Sequence, residues 1–223
     1  MSSFILKIVA IISMLLDHSS YAILGRFSFL NYIGRIAFPI FAFGISEGYS
    51  HTRDLKKYFL RLAIFALVSQ LPYYLFFSNF TNQFTLNIFF TLILGLLAIT
   101  IYDKIPNQLI SLPIIGLLAY FASVLPFEYS WYGVTLIFIF YLFKNYKLAS
   151  NICVFATMSI YAFFEYWKKG FGYHAILLWI FMLFSLLFIN FYNQKKGKDF
   201  KYILYLFYPL HLVFLYATYL LLH

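Results

Sequence analysis

Long apolar runs separated by short polar loops recur along the whole chain, at about 4–25, 29–50, 57–77, 84–103, 107–125, 129–144, 148–165, 173–192 and 202–222. About 20 apolar residues in helical form cross the roughly 30 Å of bilayer hydrocarbon. The pattern therefore predicts an all-α, polytopic transmembrane helix bundle of eight to nine spans, with residues 1–223 forming one membrane domain and no soluble domain. Pro106, Pro113 and Pro126 interrupt the fifth to seventh runs, and the choice between eight and nine turns on that region. The first run reads as a span rather than a removable signal peptide. It is longer than a signal peptide's apolar segment, it carries Asp17 and His18, and a second span follows at once.

Composition agrees with this pattern. Of the chain, 64% is hydrophobic and only 10% charged, whereas soluble domains carry roughly a quarter charged residues. A net charge of +9 would suit nucleic acid, but the basic residues sit in the short loops, where they act as topology signals. With the N-terminus inside, Lys7, Arg53, Lys56, Lys57, Arg61, Lys104, Lys144, Lys147, Lys195, Lys196, Lys198 and Lys201 all fall on the inner side. Arg26, Lys168 and Lys169 fall outside, and Arg35 lies within a span. This bias predicts N-in and, with nine spans, C-out. A lone Cys153 excludes an intrachain disulfide and a cysteine-based cluster, and the five scattered His lack ligand spacing, so no metal is expected.

Within this apolar background a few polar residues stand out. Asp17 and His18 are adjacent titratable groups inside the first run, which is costly unless protein or water surrounds them. At about 1.5 Å per residue, Asp17 lies about 12 Å below the outer edge and Arg35, descending in the second run, about 9 Å below it. The shared depth makes Arg35 the expected charge partner of Asp17. Gly34, Ala37, Ala42, Gly44, Ser46 and Gly48 allow close helix approach, within one chain or between chains. Gln70 and Asn87 fall in the outer third of their runs, as interhelical hydrogen-bond partners or as the lining of a water-filled cavity. At the inner end, Arg53, Lys56, Lys57 and Arg61 form the densest basic cluster, suited to a stop-transfer loop or to the phosphates of a nucleotide-type cofactor. Glu165, His174 and His211 read as interfacial or structural.

The combination of Asp17-His18, Gly34-Arg35-Ile-Ala-Phe-Pro, Glu47-Gly48-Tyr with His51-Thr-Arg53, Ser69-Gln70-Leu-Pro72 and Leu86-Asn87-Ile-Phe-Phe-Thr closely resembles the TraX family of conjugal-transfer membrane proteins over about residues 1–100. The resemblance implies an acyl-CoA-dependent N-acetyltransferase of the bacterial cytoplasmic membrane, because the family's named member is associated with acetylating the amino terminus of pilin during conjugation. A looser similarity links the chain to polytopic membrane acyltransferases, in which a basic residue, ten intervening residues and a His recur on the first span. Lys7 and His18 keep that spacing, and Lys57 with Arg61 sit where those enzymes carry a basic pair.

Residues and resemblance together give an expected mechanism. Acetyl-CoA, as donor substrate, would meet Lys7, Glu47, His51, Arg53, Lys56, Lys57 and Arg61 from the cytosol. His18 would act as general base on an extracytoplasmic acceptor, or form a transient acetyl-histidine, with Asp17 and Arg35 beside it and Gln70 or Asn87 donating to the oxyanion. A pilin or peptide amine and a glycan hydroxyl or amine all suit as acceptor. Two other classes stay open at this stage: a small proton-coupled transporter using Asp17, His18 and Arg35 as a relay, and a non-catalytic membrane partner protein.

Overall fold

A computed structural model describes residues 1–25, 27–167, 170, 172–198 and 201–223. The helices are α1 (Ser3–Leu24), α2 (Phe29–Gly34), α3 (Ala37–His51), α4 (Leu55–Phe77), α5 (Ile88–Lys104), α6 (Gln108–Val124), α7 (Ser130–Leu142), α8 (Lys147–Ala162) continued by a π-helical turn (Phe163–Trp167), α9 (Tyr173–Asn190) and α10 (Lys201–Leu222). This is the all-helical, polytopic bundle that the hydropathy pattern predicts.

Among the described residues six helical stretches are long and apolar enough to cross a membrane: Ser3–Leu24, Phe29–His51, Leu55–Phe77, Lys147–Glu165, Tyr173–Asn190 and Tyr205–Leu222. The other three expected spans are shorter, α5 and α6 at 17 residues and α7 at 13, or about 20–25 Å at 1.5 Å per residue. The outward faces are apolar. Leu60, Ile64, Leu67, Val68, Leu71 and Leu75 form one exposed stripe along α4, a surface suited to acyl chains.

Two local departures from uniform helices have clear causes. Pro39 has no N–H to donate to the carbonyl four residues back, that of Arg35. The second span breaks there into α2 and α3, through tighter turns from Arg35 N to Tyr32 O and Ile36 N to Ile33 O, both 3.1 Å. The fourth run was expected from 84 but becomes helical only at Ile88, because Asn87 is the N-cap and its side-chain oxygen accepts from Phe89 N at 3.1 Å. The preceding Leu86 instead bridges to Phe127.

The chain divides into two compact units. The first comprises Met1–Phe41, Leu71–Gln83 and Met158–His223; the second comprises Ala42–Gln70 and Phe84–Thr157. In the first, α1 packs on α2 and α10, and α2 packs on α9. In the second, α5, α6 and α7 pack on one another around Ala98, Ile115, Ala122, Val134 and Phe138.

Candidate functional site

The buried residues of α1 are Leu6, Ala10, Ser13, Met14, Asp17, His18, Ser20 and Ala22. Their three-to-four-residue spacing is that of one helix face. Asp17 and His18 thus lie on the inward side, while Ile5, Ile12 and Ile23 are exposed. α1 stops at Gly25, whose positive φ of 60° is a left-handed conformation that glycine adopts without strain.

Asp17 is the centre of a polar network within the first unit. Arg35 donates to both carboxylate oxygens, at 3.1 and 3.0 Å. Asn31 donates to Oδ1 at 2.8 Å and to the Asp17 carbonyl at 3.1 Å. Asn31 is itself fixed, since its amide oxygen accepts from Ser28 N at 2.7 Å and from the Ser20 hydroxyl at 2.8 Å. Ser28 and Asn31 also form the capping box that starts α2. Side chains of Arg35 and Asp17 are only 20% and 12% exposed, so the pair is largely desolvated and depends on its full set of partners. A β-carbon on Gly34 would overlap the Asp17 side chain. The expected Asp17–Arg35 pair is therefore present, and Asp17 serves that pair.

His18 is 5% exposed, its ring turned into protein. Its Nδ1 lies 2.8 Å from Nε2 of His211, the two rings 8° from parallel. His211 in turn contacts the Phe207 carbonyl through Nδ1 at 2.9 Å. Phe77 meets the His18 ring edge-on at 5.2 Å, and Phe76 lies 6.1 Å away. From sequence His211 reads only as interfacial or structural. Its signal in the sequence is weak: one histidine in the apolar last span, two positions after a proline that interrupts the helix ladder. Also in this unit, His174 contacts the Tyr32 hydroxyl, tying α9 to α2. Lys7 is half-buried on α1.

The remaining expected site residues belong to the second unit. Gln70 donates to Thr85 O at 2.9 Å and accepts from Asn87 N at 3.0 Å and from the Asn87 amide at 2.9 Å. Asn87 also donates to Ala66 O at 2.8 Å. Both side-chain protons of Asn87 are thereby taken, so the two amides clasp the start of α5 to α4. That is the interhelical role weighed for them, and it leaves Asn87 no donor for an oxyanion.

In the same unit, Glu47 accepts from His51 Nδ1 through its carbonyl at 2.9 Å. Asp54 accepts from Lys57 N at 3.0 Å, and its carboxylate lies 3.2 Å from the Lys57 ammonium. The Lys57 backbone N–H, followed by its side chain, holds the Asp54 carboxyl below the usual range. Arg53 and Lys56 are exposed. Arg61, half-buried, lies 5.5 Å from the centre of the Tyr58 ring, and its Nε is buried with no hydrogen-bond partner among the described residues. A buried N–H of this kind is a point that an anionic oxygen would satisfy.

The family model described as TraX protein matches residues 2–218. The chain is 32% identical to a protein of Dichelobacter nodosus described as "Probable fimbrial assembly protein FimC, serogroup H1", over 96% of this chain and 94% of that one. No solved structure gives a significant match. With a match that runs nearly end to end, this multi-pass membrane protein belongs to the TraX family.

Proposed function

We propose that this protein is a membrane-embedded acetyltransferase of the bacterial cytoplasmic membrane. It transfers the acetyl group of acetyl-CoA to an amine, or a hydroxyl, of an extracytoplasmic acceptor. A pilin-type amino terminus is the acceptor favoured by the family and by the fimbrial assembly relative.

The observation that carries the reading is the enclosed His18, hydrogen-bonded to a second imidazole beside a fixed Asp17–Arg35 ion pair in an otherwise apolar bundle. Holding two imidazoles and an ion pair within membrane-spanning helices costs several kcal/mol unless the groups are partnered or hydrated, which marks such residues as functional candidates. A general base placed this way removes the proton of the attacking amine as its nitrogen bonds to the thioester carbon. The carbon–sulfur bond then breaks, and the CoA thiolate recovers the proton from the imidazole. Arg53, Lys56, Lys57 and the orphaned Nε of Arg61 supply cationic donors suited to the phosphates of CoA.

The test uses purified protein in detergent, radiolabelled acetyl-CoA, and a panel of acceptors comprising a pilin amino-terminal peptide, the same peptide with a blocked amine, and an oligosaccharide. Label should move to the free-amine peptide, with His223→Ala as active as the parent chain. Failure to label any acceptor, combined with stable co-purification of pilin, would replace the enzyme with an assembly partner. Proton-coupled substrate uptake into liposomes without acetyl transfer would replace it with a transporter.

A further inference from the structure

We infer that His211 is a positioning residue that fixes the tautomer of His18, so that Nε2 of His18, and not Nδ1, is the nitrogen that receives the proton. The catalytic consequence rests on the base role proposed above. With both rings neutral, the tautomer itself follows from the hydrogen bonds, whatever the reaction.

The chain of donors starts at the Phe207 carbonyl, which can only accept. His211 Nδ1, 2.9 Å away, must therefore carry a hydrogen and donate it. With both rings neutral, that leaves His211 Nε2 as a lone-pair acceptor. The atom 2.8 Å from it is His18 Nδ1, which must then be the protonated nitrogen of its own ring. His18 Nε2 is left with a lone pair and makes no hydrogen bond among the described residues. Both contacts, at 2.8 and 2.9 Å, lie near the mode for good hydrogen bonds.

Packing holds the relay in place. The Phe207 ring lies 4.9 Å from the His211 ring and 6° from parallel to it, Tyr208 borders it at 5.5 Å, and Phe77 blocks rotation of His18 edge-on. Asp17, the sequence neighbour that would usually be credited with orienting the histidine, is occupied by Arg35 and Asn31. When His18 takes up a proton at Nε2, its Nδ1–H still points at His211, so the imidazolium forms without rearrangement. The proton then leaves from the same Nε2 to the CoA thiolate. The orienting group acts through its lone pair, as a neutral counterpart of the carboxylate in a serine-protease triad.

Nitrogen-15 spectra of protein labelled only at its histidines test this directly, with the His18 signals assigned by their loss in His18→Ala. Wild-type protein should show His18 protonated at Nδ1 and bare at Nε2. His211→Phe keeps an aromatic ring on Phe207 but removes the acceptor, and should move His18 to the Nε2–H form that a free imidazole favours. His211→Gln, whose amide oxygen reaches the position of Nε2, should restore the Nδ1–H form. In acetyl transfer, His211→Phe should lower kcat by on the order of 10²-fold with the KM for acetyl-CoA unchanged, and His211→Gln should recover most of it. A wild-type His18 protonated at Nε2, or a tautomer unmoved by His211→Phe, overturns the inference. The spectra give that answer even for a protein that transfers no acetyl group, so failure of the proposed reaction and failure of this inference are told apart.

Discussion

A carboxylate sunk into a membrane helix needs its counter-charge at a fixed distance, and Gly34 sets that distance by letting α2 close onto Asp17. Adding one methyl group at this position drives it into the Asp17 side chain. Gly34→Ala should therefore lower thermal stability in detergent, by about 1–3 kcal/mol from overpacking alone. Gly116→Ala, whose β-carbon meets nothing within 4 Å, should leave stability unchanged or raise it slightly. The ion pair makes a second prediction. Asp17→Asn and Arg35→Met should each cost about 3–5 kcal/mol by leaving one charge buried, and the double substitution should cost less than their sum. A strictly additive double-mutant cycle would show that the two side chains do not depend on each other. Depth along consecutive, oppositely directed spans makes this pair legible in the sequence. It does not reveal His211, which comes from the far end of the chain; periodicity says which face of a helix is buried but not which helix it meets.

Individual elements follow the hydropathy pattern closely, with α6, α7 and α9 starting and ending within a few residues of the expected runs. The differences occur where a single residue changes the backbone hydrogen bonding. Pro39 splits the second span at Arg35, and Asn87 ends the loop before α5 instead of lying inside the helix. A lone polar residue in an apolar run looks the same in sequence whether it caps a helix or faces a cavity, which is why Asn87 read as a candidate oxyanion donor. Its hydrogen bonds make the distinction measurable. Asn87→Ala should lower resistance to chemical unfolding by about 1–2 kcal/mol through the lost cap, with kcat nearly unchanged. A loss of kcat on the order of 10²-fold in a fully folded variant would restore the oxyanion role instead.

Across the whole molecule, charge is segregated in a way the fold explains. In the second unit every Lys and Arg lies before α4, within its first turns, at the end of α5, between α7 and α8, or at the first residue of α8. Alternating helices bring those segments to one end, and the positive-inside rule predicts that this end faces the cytoplasm. Single cysteines introduced in a Cys153→Ala background test the assignment with a membrane-impermeant maleimide on intact cells. Asn82→Cys, between α4 and α5, should label from outside, and Asn145→Cys, between α7 and α8, should label only after the membrane is opened. The reverse pattern would invert the topology and place the basic cluster away from any cytosolic donor.

The central claim is that the enclosed imidazole of α1 moves the proton in acetyl transfer, and steady-state kinetics of His18→Ala address it most directly. With the purified variant, radiolabelled acetyl-CoA and the free-amine pilin peptide, kcat should fall by about 10²- to 10⁴-fold, the range a positioned general base contributes, while the KM for acetyl-CoA holds. A His18→Ala protein that turns over at the wild-type rate would contradict it.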